Sequence, residues 1–120
     1  MSLKTTDSLR RIVELFRKYD RNLFPVLGKE NELLGMIMLN DIRDKMFDQD
    51  LLDTTFVIDY YVQAPAVIDY HDSFERIMKV FDETQSWNLP VLRNGKFEGV
   101  ISKSKLYSEY RKLMVQLSDE

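Results

Sequence analysis

The 120-residue chain has no cysteine, one histidine, one tryptophan, four glycines and three prolines. Without cysteine there is no disulfide framework, no thiolate metal site and no cysteine nucleophile, and the composition fits a reducing compartment. The single histidine, His71, stands in a polar Tyr70-His71-Asp72 turn before a helix. One imidazole among scattered carboxylates makes no zinc pattern, so a surface loop is expected there. A Gly-rich phosphate loop, a nucleophile elbow and a Gly-x-Gly fingerprint are all absent, and no catalytic role is expected. No apolar run approaches the roughly 20 residues that cross a bilayer. The longest, LLGMIML at residues 33–39, is strand-sized, so this segment itself is not expected to insert in a membrane. No apolar stretch follows Met1-Ser2-Leu3 as a signal peptide would need, and a start of that kind also fits a piece of a larger protein. Charge of one sign is lacking too. Seventeen basic residues stand against twenty acidic ones for a net charge of −3. They are interleaved, which argues against a nucleic-acid platform.

What is present is an ordinary globular balance, 44% hydrophobic and 31% charged, and an internal repeat. Shifting the chain by 65 positions lays DSLRRIVELFRKYDRNLFPVL (residues 7–27) on DSFERIMKVFDETQSWNLPVL (residues 72–92). Asp7 and Asp72, Phe16 and Phe81, Pro25 and Pro90, and Val26 and Val91 are among the identical pairs. After one deletion in the second copy, Gly35 pairs with Gly99 and Ile37 with Ile101. Leu9, Ile12, Val13 and Phe16 recur at helical spacing, as do Phe74, Ile77, Met78 and Phe81, giving each copy a helix with one apolar face. Asp72 with Glu75 is placed for a capping box, and Asp7 for a weaker cap because Arg10 stands where the reciprocal glutamate would be.

Each helix is followed by a Pro-Val strand, a turn and a second apolar strand. Asn94-Gly95 suits a tight hairpin turn, since both positions accept positive φ; the first copy has the longer loop of residues 28–32. Helices are expected next, over residues 40–49 and 103–117. A short helix is expected near residues 57–61, and a leading strand at residues 64–68. The first copy lacks an obvious leading strand. The organisation is therefore α+β, strand-helix-strand-strand-helix twice: one repeat at residues 4–50, a connector at 51–63 and a second repeat at 64–117. Paired copies can cover each other's open sheet about a pseudo-twofold axis. The methionines at 36, 38, 46, 78 and 114 sit in apolar stretches and suit the core.

This ordered duplication resembles the CBS domain (the cystathionine-β-synthase module), whose tandem pair, the Bateman module, is a regulatory unit. The segment SWNLPVLRNGKFEGVISKSKLYSEYRKLM (residues 86–114) is similar to the C-terminal cytoplasmic CBS region of prokaryotic ClC-type chloride channels and transporters. That resemblance implies a cytoplasmic regulatory and dimerisation module in chloride ion transport, on the cytoplasmic side of the cell membrane. Its partners would be a second copy, as a homodimer, and the transmembrane portion of the parent transporter. Alternatives are an adenosine-nucleotide sensor of a non-channel protein and a ligand-free structural dimerisation unit.

The family resemblance also implies a site. No cofactor is required, but ATP, ADP or AMP can act as regulatory ligand. The family places a hydroxyl at the end of the second hairpin strand, near phosphate, and an aspartate three residues on, at the ribose. Here Met38 and Asp41 take those positions in the first copy, and Ser102 and Lys105 in the second, so each copy keeps half the motif. One cleft would group Asp41 and Met38 with Val67, Trp87 and Asn88, the indole stacking on a purine. The other would group Ser102 and Lys105 with Arg21 and Asn22. Bland roles stand beside these. Trp87 suits interface packing; Asp41 suits the first turn of a helix; Ser102 suits an N-cap. Lys103, Lys105, Arg111 and Lys112, with Glu109 interleaved, suit a solvated helix face.

Overall fold

The structure, a computed structural model, describes the backbone of residues 1–118 and the side chains of residues 1–109 and 111. The chain divides into two compact units, Met1–Ala64 and Pro65–Glu120, and the same succession of elements runs through each.

In the first unit, helix α1 (Leu9–Lys18) precedes strands β1 (Leu23–Leu27) and β2 (Leu33–Met38) and a one-turn helix α2 (Leu39–Ile42). In the second, a short strand β3 (Ile68–Asp69) leads into helix α3 (Phe74–Thr84). Strands β4 (Asn88–Arg93) and β5 (Lys96–Ser102) and helix α4 (Lys103–Ser118) follow. β1 and β2 are antiparallel, as are β4 and β5, and β3 joins β4 in parallel.

The duplication extends to single bonds. Ile68 pairs with Val91 in the second unit, and 65 residues earlier Leu3 pairs with Val26 in an isolated parallel bridge. The leading strand of the first repeat is thus reduced to Leu3. Its N–H donates to Pro25 O and its carbonyl accepts from Leu27 N, both at 2.9 Å. A single bridge suffices because the Leu3 side chain is fully buried, worth about 1.5–3 kcal/mol for a leucine. The register slips at Val26/Leu27 in one hairpin and at Val91/Leu92 in the other, so both hairpins bend at the same point. Asn94 and Gly95 have φ of 52° and 78°, the positive values that a two-residue turn of the right twist demands.

Three expectations are corrected. The helix caps sit one residue later than the aspartates: Ser8 and Ser73 hydroxyls accept from the Arg11 and Arg76 amides at 3.3 and 3.2 Å. Asp7 and Asp72 instead turn back to accept from the Lys4 and Asp69 amides, at 2.8 and 2.9 Å. They close the turn before each helix, and no Asp72–Glu75 capping box forms. Second, the helix expected over residues 40–49 stops at Ile42 and gives way to turns. Met38 stands at its N-cap and makes no side-chain bond there, whereas Ser102, at the same place before α4, accepts from the Lys105 amide at 3.2 Å. A thioether leaves the first-turn amides without the acceptor that a hydroxyl supplies. Third, the strand expected at residues 64–68 is confined to Ile68 and Asp69. The short helix expected near residues 57–61 is present as a 3₁₀ turn, Val57–Asp59, whose entry is tied by the Phe56 amide donating to Asp59 Oδ2.

The two cores differ in completeness. In the first unit Leu3, Leu9, Ile12, Val13, Leu15, Phe24, Val26 and Ile37 are joined by Ile42, Leu52 and Val57 in one buried cluster. Residues 51–63 are thus part of that unit. The Leu9 and Arg10 amides donate to the Thr55 and Leu52 carbonyls, and Val57 N donates to Asp7 O. Phe16 meets the Phe24 ring edge-on at 4.7 Å. The second cluster comprises Ile68, Val80, Phe81, Leu89 and Leu106; Ile77, Met78, Val91 and Ile101, whose counterparts are fully buried, are only partly covered. Met36 is core and Met46 and Met78 pack at its margin, as expected; the Met114 and Lys112 side chains lie outside the described residues.

Candidate functional site

In both units the hairpin brings the residue before its first strand against the helix that follows its second. Leu39 N donates to Asn22 O, and Lys103 N donates to Trp87 O, each at 2.8 Å. This bond fixes which expected site residues are neighbours within a repeat. In the first, Arg21 and Asn22 lie beside the Met38–Asp41 turn, with Arg21, Asn22 and Asp41 exposed and Met38 half-buried. In the second, Trp87 and Asn88 lie beside Ser102 and Lys105. Val67 is exposed immediately before β3.

Trp87 is 72% exposed, a costly position for the largest apolar side chain unless something uses it. Its ring carries the Lys103 ammonium, whose Nζ lies 5.3 Å from the indole centroid and 5.9 Å from that of Tyr107. These residues, with Ser104, Ser108 and Arg111, line a cavity of about 270 Å³. Two aromatic rings and two cations are among its lining residues, so the cavity can take a flat ring with an anionic substituent. Ser102, one residue before Lys103, spends its hydroxyl on the Lys105 amide, the capping role. Lys105 is exposed on α4 and is not among the residues lining this cavity.

Tyr107 is held from behind: its hydroxyl donates to Asp82 Oδ1 at 3.3 Å. Partial desolvation, and then the adjacent carboxylate, push its phenol above the ordinary value of 10.0. A solvated helix face is the sequence-based expectation for Lys103 and Arg111, and Ser104, Tyr107 and Ser108 carry none. The spacing 103, 107, 111 is the available signal, one side of a helix beginning beside Trp87.

Among the described residues no group of three or more histidine, cysteine, aspartate or glutamate side chains could hold a metal ion. His71 is exposed in its turn, its amide donating to Asp69 Oδ1 at 2.8 Å. No helix among the described residues is long and apolar enough to cross a membrane.

Comparison with known proteins supports the repeat architecture. The family model described as "CBS domain" matches residues 1–48 and 57–112. No curated protein matches in sequence. Among solved structures, a CBS domain-containing protein of unknown function from Bacillus anthracis is 19% identical at a TM-score of 0.81, over 93% of this chain and 84% of its own. CBSX2 in complex with AMP is 21% identical at 0.79, over 95% and 89%. CbpB in complex with c-di-AMP is 18% identical at 0.79, over 99% and 81%. At these identities the likeness is one of fold.

Proposed function

We propose, for a chain that belongs to the CBS-domain family, that its regulatory role is exercised through an adenosine nucleotide. The family is regulatory and non-catalytic, so a ligand acts here by its differential affinity for two arrangements of the module. The observation that carries the reading is the exposed Trp87 ring with the Lys103 ammonium over it, a surface suited to a purine bearing phosphate. Support comes from two relatives of the same fold that were solved with AMP and with c-di-AMP.

Trp87, with Val67 and Asn88, is assigned to the base in the second repeat. In the first repeat Asp41, after Met38, is a separate candidate for the hydroxyls of a ribose, because a carboxylate accepts from two vicinal hydroxyls. Ser102 and Lys105 in the second repeat, and Arg21 and Asn22 in the first, are weaker candidates, since Ser102 is engaged as a cap and no carboxylate stands at residue 105. Calorimetric titration with ATP, ADP and AMP tests this. Trp87→Ala should weaken binding about tenfold, the equivalent of about 1.4 kcal/mol of lost stacking, and Asp41→Ala should remove the preference for ribose over 2′-deoxyribose. No heat and no thermal shift at millimolar nucleotide would leave a ligand-free structural unit instead.

The finer assignment, to a ClC-type chloride transporter, is supported by the likeness of residues 86–114 alone; none of the three solved relatives named above is described as one. Apolar helices of about 20 residues in the parent reading frame would favour it, and a soluble catalytic domain there would end it. Homodimerisation, common in modules of this family, is tested by sedimentation of the chain alone.

A further inference from the structure

The two hairpins share their register and the place of their bulge, and they differ at their outer edge. In the first unit the edge of β2 is closed by Val62. Met36 N donates to Val62 O at 2.8 Å and Val62 N to Met36 O at 2.9 Å, in an antiparallel bridge. Gln63 Nε2 adds a bond to Leu34 O at 3.0 Å. Gly35 makes room for this cover. A Cβ there would run into the Tyr61 ring and lie 2.7 Å from the Val62 carbonyl oxygen.

The second unit repeats the receiving side. Val100 faces Pro90 as Met36 faces Pro25. Proline has no N–H to give, so Val100, like Met36, turns its amide and carbonyl away from its hairpin partner. Gly99 stands where Gly35 stands, yet among the described residues a Cβ there would meet nothing within 4 Å. Among the described residues β5 is the last strand of its sheet, paired with β4 alone. An open edge with an outward amide, an outward carbonyl and an unfilled glycine seat is a template for strand addition.

We infer that the β5 edge at Gly99-Val100 is a docking site for an extended polypeptide segment of a partner protein. The occupant's chemistry is given by the segment that closes the matching edge. It carries an aromatic residue to lie over Gly99, a β-branched residue whose backbone exchanges two bonds with Val100, and then a side-chain amide for the Glu98 carbonyl. It enters antiparallel to β5. The site is independent of the nucleotide reading, because it uses neither Trp87 nor Asp41.

The test is an amide-resolved titration of the full chain with a blocked synthetic peptide of residues 58–65 (IDYYVQAP) at millimolar concentration. Saturable shifts centred on Gly99 and Val100, with slowed exchange of the Val100 amide, are expected. Gly99→Ala should keep the fold and weaken binding roughly tenfold or more, since a methyl group fills the seat. A peptide with alanine at its second tyrosine should bind correspondingly worse. Absence of saturable shifts in the folded chain would overturn the inference. So would binding indifferent to both substitutions, or Val100 protection that rises with protein concentration without peptide, which would make a second copy the occupant.

Discussion

Arg10 and Asp53 face each other through two hydrogen bonds of 2.8 Å, Nε to Oδ1 and Nη2 to Oδ2. The pair ties α1 to the segment that follows the first repeat, where the Arg10 amide also donates to the Leu52 carbonyl at 2.9 Å. The hydrogen bond from Arg10 is the main reason that the Asp53 carboxyl lies below its ordinary 3.8. A depressed carboxylate contributes stability above its unfolded value, about pH 4, and that contribution is lost as pH falls through the lower folded value. Urea midpoints measured from pH 7 downward should therefore fall less steeply below about pH 4 in Asp53→Asn than in the wild type. Both side chains are exposed, so the difference should be small and should shrink in high salt.

The two repeat glycines give opposite expectations for one substitution. Gly35→Ala must displace Tyr61 and the Val62 carbonyl and should cost about 1–3 kcal/mol as overpacking. Gly99→Ala meets nothing among the described residues and should be neutral or stabilising by up to about 1 kcal/mol, because alanine loses less backbone freedom in a strand. Thermal or urea unfolding of the two variants checks the contrast.

Capping chemistry offers a second pair. Ser73→Ala removes the hydroxyl that accepts from the Arg76 amide and should cost about 1 kcal/mol. Glu75→Ala removes no cap bond and should stay within a few tenths of a kcal/mol, about the size of a first-turn dipole effect. Equal losses in the two variants would restore the capping box that the aspartate spacing suggested.

The Tyr107 phenol should titrate above the usual 10.0, because desolvation and Asp82 both disfavour the phenolate. Asp82→Asn should bring it down toward that value by removing the neighbouring charge. Ultraviolet difference titration, with Tyr107→Phe identifying the signal, reads this directly.

Much of the fold was legible because the repeat multiplied weak signals. Asn94-Gly95 fixed one hairpin, and Pro25/Pro90 with Gly35/Gly99 transferred it to the other, whose loop carries no such dipeptide. The misses were local competitions. Asp7 and Asp72 have the residue type of a cap, but the serine that follows each reaches the first-turn amides, leaving the carboxylates to close the preceding turn. Residues 40–49 are polar and apolar at helical intervals, yet Met38 supplies no cap, so the helix ends after one turn. Leu3 is a strand of one residue, below what alternation can signal, and its bridge to Val26 and its total burial mark its place. The cavity was half visible: Trp87 was singled out from its rarity and position, while Tyr107 was missed because its role follows from where α4 begins, a tertiary fact.

Trp87, largely exposed and on the Pro65–Glu120 side of the division, is the chain's only tryptophan. The second half therefore carries an intrinsic fluorophore that the first half lacks. Indole emission would follow the melting of that half alone, while far-ultraviolet dichroism sums over both. Curves that part company on heating would show the duplicated halves losing order at different temperatures, without any label being attached.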